Sequence, residues 1–165
     1  MRSRSTDLPP QPGLAPVRPL SYPVPVAGRL RRVFGGGGGP DLRLSQSLGA
    51  FAGPGGDISP LHVFFEAANA GSEEVEVVRV YVAAEGHARP VYEGPFGGDH
   101  ALPFTLAPGQ SSRFQARAKT LAGTLKRAGL GGRPRVRLVV EDASGNRREK
   151  AFKFRVDEYL ELKDE

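Results

Sequence analysis

The chain of 165 residues has no cysteine, no tryptophan, one methionine and three histidines. Without cysteine there is neither a disulfide framework nor a thiolate metal site. Long apolar runs are missing too: none approaches the ~18 residues of a membrane-spanning helix. The opening stretch MRSRSTDLPPQPG carries positive charge with no apolar segment behind it, so no secretory signal is expected. These absences lead to the expectation of a soluble chain made in the cytoplasm, with no membrane partner.

Proline and glycine are in excess, and they are unevenly placed. Residues 1–60 hold 10 of the 15 prolines and 11 of the 22 glycines. Few apolar runs accompany them, and such a stretch cannot bury enough surface to offset its own ordering entropy. From Ile58 onward the text turns to short Val, Phe and Leu runs alternating with polar residues, the pattern that a packed core requires. The expected organisation is an extended Pro/Gly/Arg-rich arm over residues 1–57, one domain over residues 58–156 and an acidic tail over residues 157–165. Charge is segmented as well: seven Arg against three Asp in residues 1–60, fifteen Lys and Arg against ten acids in residues 61–156, and one Lys against five acids at the end. Segments of opposite sign can attract one another between copies, or simply keep the chain soluble.

Within the body, RFQARAK alternates strictly, with Phe114, Ala116 and Ala118 on one side and Arg113, Gln115, Arg117 and Lys119 on the other, as in a half-buried strand. RVRLVVEDASGNRREKAFKFRV reads as a hairpin. Val136, Leu138 and Val140 share a face with Phe152, Phe154 and Val156 across a DASGN turn, in which Gly145 or Asn146 takes positive φ. In EEVEVVRVYVAA the valines change parity between Val77 and Val78, so a β-bulge is expected there unless both faces are covered. ARPVYEG and LPFTL are shorter strands, with Pro90 and Pro103 confining them to starts or edges. KTLAGTLKRAGLGG reads as one short helix, begun by Thr120 and ended by Gly129.

About seven short strands with turn signals between them point to an all-β sandwich. The segments ANAGSEEVEVVRVYV, LPFTLAPGQSSRFQ, a short helix and VRLVVEDASGNRREKAFKF, in that order, resemble small Ig-like modules of bacterial and phage proteins. The resemblance covers residues 61–156 and implies an immunoglobulin-like β-sandwich with one crossover helix, in a form without the usual disulfide and tryptophan. It carries no catalytic residues with it.

Motifs for chemistry are sparse. The five glycines of RLRRVFGGGGGPDLRL are followed by Pro-Asp-Leu, where a phosphate loop needs Lys-Ser/Thr and a helix. His87 and His100 could meet Glu85, Glu93 or Asp99 in an oxygen/nitrogen metal site, but scattered loop polar residues account for the same letters. Asp142, Ser144 and Asn146 have the opening spacing of a calcium loop, with no Glu where the bidentate ligand belongs. Asp57, Ser59 and His62 lie close in sequence, which does not set a triad's geometry. No enzyme, no metal and no cofactor are therefore expected.

Two sets of residues suggest binding instead. Arg135 and Arg137 share the outer face of the last hairpin with Lys153 and Arg155; four like charges on adjacent strands repel, and a solvated sheet face, an acidic protein partner and nucleic acid fit them in that order. In the arm, prolines are interspersed with Leu20, Tyr22, Val24 and Val26, followed by Arg29, Arg31, Arg32 and Phe34. Proline repeats favour polyproline II, whose ordering entropy is already partly removed, so the strip can dock in a groove at low cost. At ~3.1 Å per residue its first part reaches on the order of 80 Å, far enough to touch a neighbouring subunit. The five glycines then read as a joint between two parts of the arm. The function expected is that of a structural virion component, a phage capsid decoration, cement or minor capsid protein. Its partners would be the major capsid protein, other virion subunits and copies of itself. Two other readings stand beside it: a nucleic-acid binder using the basic arm and sheet face, and a cytoplasmic bacterial adaptor with a proline-rich ligand.

Overall fold

The computed structural model describes residues 40–163. Alternation decides the layers. β1 (Leu42–Gly49), β2 (His62–Asn69), β6 (Ser111–Arg117) and the two-residue β4 (Gly97–Gly98) form one sheet in the order β1-β2-β6-β4. β5 (Phe104–Leu106), β3 (Val75–Ala84), β7 (Arg135–Asp142) and β8 (Arg147–Lys153) form the other, in the order β5-β3-β7-β8. Every pairing is antiparallel. The fold is therefore a mostly β arrangement of two four-stranded sheets over one core, with two short helices.

Each strand sends every second side chain inward. β2 buries Val63, Phe65, Ala67 and Asn69, β6 buries Ser112, Phe114 and Ala116, and β7 buries Val136, Leu138 and Val140. Phe65 from the first sheet meets Phe152 from the second with ring centroids 5.8 Å apart. The last hairpin has the expected register, Val136 opposite Phe152 and Arg135 opposite Lys153. β3 keeps Val75 and Val77 inside and then, past a register shift between Val77 and Arg79, Val80, Val82 and Ala84. The shift is the bulge that the change of parity requires, and Val78 is left exposed.

Turn chemistry closes the strands. Asp142 accepts hydrogen bonds at Oδ1 from the amides of Ser144 and Asn146, both at 2.9 Å, and Gly145 takes φ 84°. These groups build a hairpin turn. The helix α1 (Ala118–Arg127) starts two residues before Thr120, with Arg117 as its N-cap and no side-chain cap. The Ala118 amide instead donates to Leu61 O at 2.9 Å. Its end is a Schellman motif: the Gly129 amide donates to Lys126 O and the Leu130 amide to Leu125 O, each at 3.0 Å.

β1 lies inside the stretch that the proline and glycine content marks as arm. It pairs with β2 along its whole length, from Leu42 opposite Asn69 to Gly49 opposite His62, and Leu42 is buried. The sheet thus reaches back to within two residues of Pro40. The acidic end also joins the body. α2 (Val156–Leu160) buries Val156, and Tyr159 stacks on Phe154 at 4.8 Å. Lys126 Nζ lies 2.7 Å from Asp157 Oδ1, and Arg133 and Arg155 lie 3.3 and 2.9 Å from the Glu158 carboxylate.

Candidate functional site

Adjacent side chains on a strand point to opposite faces, so the doubled phenylalanine of β2 cannot be wholly buried. Phe65 enters the core and Phe64 stands on the outer face of the first sheet. The loop after β1 returns over it. The Phe51 amide donates to Ser59 Oγ at 2.8 Å, the Ser59 amide donates to Phe51 O at 2.8 Å, and Ala52 bridges to Ile58. This small closed loop holds the Phe51 ring edge-on to Phe64 at 5.2 Å and to His62 at 5.1 Å. Gly49 leaves room beneath, since a Cβ there would lie 3.1 Å from Phe64 Cε2.

Opposite the aromatic wall, β4 and β6 supply a polar one. Together the walls enclose a groove of about 330 Å³ lined by Phe51, Phe64, Asp99, Arg113 and Gln115 among others. Gly98 makes the close approach possible: it has φ 154°, and a Cβ there would sit 2.4 Å from Arg113 O. The Asp99 amide donates to Arg113 O at 2.9 Å, and Asp99 Oδ2 accepts from the Arg113 amide at 3.0 Å. Arg113 Nη2 lies 3.5 Å from Glu66 Oε2. The site is thus a binding groove with flat apolar faces on one side and a carboxylate, a guanidinium and a carboxamide on the other.

The neighbouring Ser59 hydroxyl donates to Pro60 O at 3.0 Å, and His62 Nδ1 lies 2.6 Å from the same oxygen. Ser59 and His62 are therefore both turned to one carbonyl and not to each other. The other two histidines are apart. His87 has its ring nitrogens 3.2 Å from Glu85 O and 3.1 Å from Ala128 O, while His100 Nδ1 is 2.9 Å from Ser112 Oγ. Among the described residues no three His, Asp or Glu side chains gather as a metal-binding group.

The basic face of the last hairpin is present but partly neutralised. Arg137 Nη1 is 3.1 Å from Glu149 Oε2, and Arg155 Nη1 is 2.9 Å from Glu158 Oε2. Arg135 and Lys153 stand opposite each other across β7 and β8, and among the described residues they have no carboxylate partner. The four charges do not act as one repelling patch, because Glu149 and Glu158 answer two of them. On the outer face of the second sheet, Tyr81 donates to Glu141 at 3.0 Å beneath the Arg79 guanidinium, 4.7 Å above its ring. Burial, then this bond to Glu141, pushes the Tyr81 phenol up from its ordinary range.

The arm residues singled out by sequence, Leu20, Tyr22, Val24, Val26, Arg29, Arg31, Arg32 and Phe34, lie outside the described residues, as do the five glycines. The groove was not among the sequence candidates. The doubled phenylalanine carried the available signal, since one of the two rings must face outward. Its partners Phe51, Asp99 and Gln115 come from distant segments that the pairing of β1 with β2, of β2 with β6 and of β6 with β4 brings together. No family model matches the chain, and no curated protein matches it.

Proposed function

We propose that the protein is a non-enzymatic structural binding module of the immunoglobulin-like class, and specifically a virion component that joins neighbouring capsid subunits through its N-terminal arm. The strand order supports the Ig-like reading. β1, β2 and β6 lie in one sheet, and β3, β7 and β8 lie in the other, as do strands A, B, E and C, F, G of that fold.

The observation that carries the function is the place where the arm begins. β1 is an edge strand that starts at Leu42, so the chain enters the packed body at a sheet edge. A proline-stiffened, Arg-bearing segment in that position is built to lie on another surface. The basic sheet face favours a protein partner over nucleic acid, because Arg137 and Arg155 are already paired. Quantitative mass spectrometry of purified particles tests the reading. The chain is expected in a fixed ratio to a shell subunit; absence from the particles removes the virion assignment and leaves a cytoplasmic adaptor.

A further inference from the structure

The groove on the first sheet matches one kind of ligand that this chain itself carries. A polyproline II segment has no internal hydrogen bonds, and its prolines have no N–H. Its receptor must therefore offer flat aromatic faces for the rings and hydrogen-bond donors for the exposed carbonyls, which is how proline-rich peptides are held in aromatic-lined grooves. Phe51 and Phe64 supply the faces, at 5.2 Å and an interplanar angle of 75°. Arg113 and Gln115 supply donors along the opposite wall, and Asp99 supplies a carboxylate beside Arg113. A volume of about 330 Å³ accommodates a few residues of such a strand, at the lower end of ligand-sized pockets.

We propose that this groove is a receptor for a polyproline II segment, and that its occupant in the free protein is the chain's own PLSYPVPV, residues 19–26. Charge fits, because Arg18 immediately precedes the segment and the Asp99 carboxylate lines the groove. Reach fits as well. The groove lies beside Gly49, at the far end of β1 from Pro40, a path of roughly 25–30 Å at ~3.4 Å per residue. The thirteen residues 27–39 span up to ~45 Å when extended. A tether of that length gives an effective concentration on the order of millimolar, so a weak contact suffices for the strip to occupy its own body. Assembly on a neighbouring subunit would then draw the strip off the groove.

Photo-crosslinking of the full-length chain, with p-benzoylphenylalanine in place of Tyr22, tests this without any particle. Cross-links are expected within one chain, to peptides holding Phe51, Phe64 or Gln115. The double substitution Phe51→Ala and Phe64→Ala should lower their yield at least fivefold while far-ultraviolet circular dichroism stays unchanged. Gln115→Glu, which exchanges a donor for an acceptor on the same shape, should lower it at least threefold. Mixed isotopically light and heavy chains separate the sources: hybrid cross-links at the groove would show that a second copy supplies the strip and overturn the assignment to the chain's own arm. Cross-links that fall elsewhere, or a yield that both sets of substitutions leave unchanged, would overturn the groove as receptor. None of these outcomes depends on whether the protein is found in virions.

Discussion

Asn69 ties three stretches of backbone together at the end of β2. It is buried at 1% exposure, its Nδ2 donates to Glu73 O at 2.7 Å and Leu106 O at 3.0 Å, and its Oδ1 accepts from the Gly71 amide at 3.0 Å. Asn69→Ala would leave these three groups, of which Leu106 O is the most buried, without the side chain's bonds, at about 1–3 kcal/mol for each group not reached by water. A loss of about 3 kcal/mol is therefore expected in urea unfolding, and a loss under about 1 kcal/mol would mean that water replaces the side chain. The two neighbouring phenylalanines make a sharper contrast. Phe65→Ala opens a core cavity and should cost about 3–5 kcal/mol. Phe64→Ala removes an outer-face ring contact worth about 1 kcal/mol. Sequence alternation alone shows that one ring of the pair faces outward, and it leaves open which, because HVFFEAANAG has small or apolar residues at both parities. Only the partner strand decides: Phe65 stands opposite Phe114, the inward residue of β6.

Among the elements, β1 was the least legible. LRLSQSLG alternates Leu42, Leu44 and Leu48 with polar residues, yet it has no β-branched residue and is flanked by glycine and proline, so its signal merges with that of the arm. The structure sets the truncation that leaves the body whole. A chain starting at Ile58 lacks β1 and leaves the β2 edge unpaired, whereas one starting at Pro40 keeps all eight strands. The first should aggregate or melt well below the second in calorimetry. The hairpin of β7 and β8, in contrast, was readable to the register, because its alternation, turn and aromatic residues all agree. α2 shows how the acidic end is used. Asp157 is held below the usual carboxylate range by the Lys126 ammonium and then the Gly132 amide, and Glu158 by Arg155 first, with burial opposing and Arg133 adding to the lowering. A lowered folded value stabilises the docked helix above the unfolded value, near pH 4, and that contribution is lost as pH falls through the lowered one. The Tyr159–Phe154 contact, followed by nuclear magnetic resonance, should therefore loosen on acidification below about pH 4, and Lys126→Met should move the loosening to higher pH. A contact that persists unchanged to lower pH in both proteins would mean that apolar packing alone holds α2.

At the scale of the whole molecule, sandwich class was legible because strands and turns are local patterns. The groove was not, because it exists only where residues far apart in sequence are paired by the sheet. The charge division also changes meaning. Asp157 and Glu158 of the acidic end are engaged within the chain by Lys126, Arg133 and Arg155, so this part of the tail's charge serves docking of α2 onto the body. If residues 35–39 act as a joint, replacing those five glycines by alanine should reduce incorporation into the particle at least severalfold without changing the body's melting temperature. Unchanged incorporation would make them an ordinary spacer. The most direct measurement compares the full-length chain with one starting at Pro40, by calorimetry and by co-sedimentation with the purified particle. One cooperative transition at an unchanged temperature, together with lost co-sedimentation, is the expected result. Retained co-sedimentation would contradict the arm as the binding element.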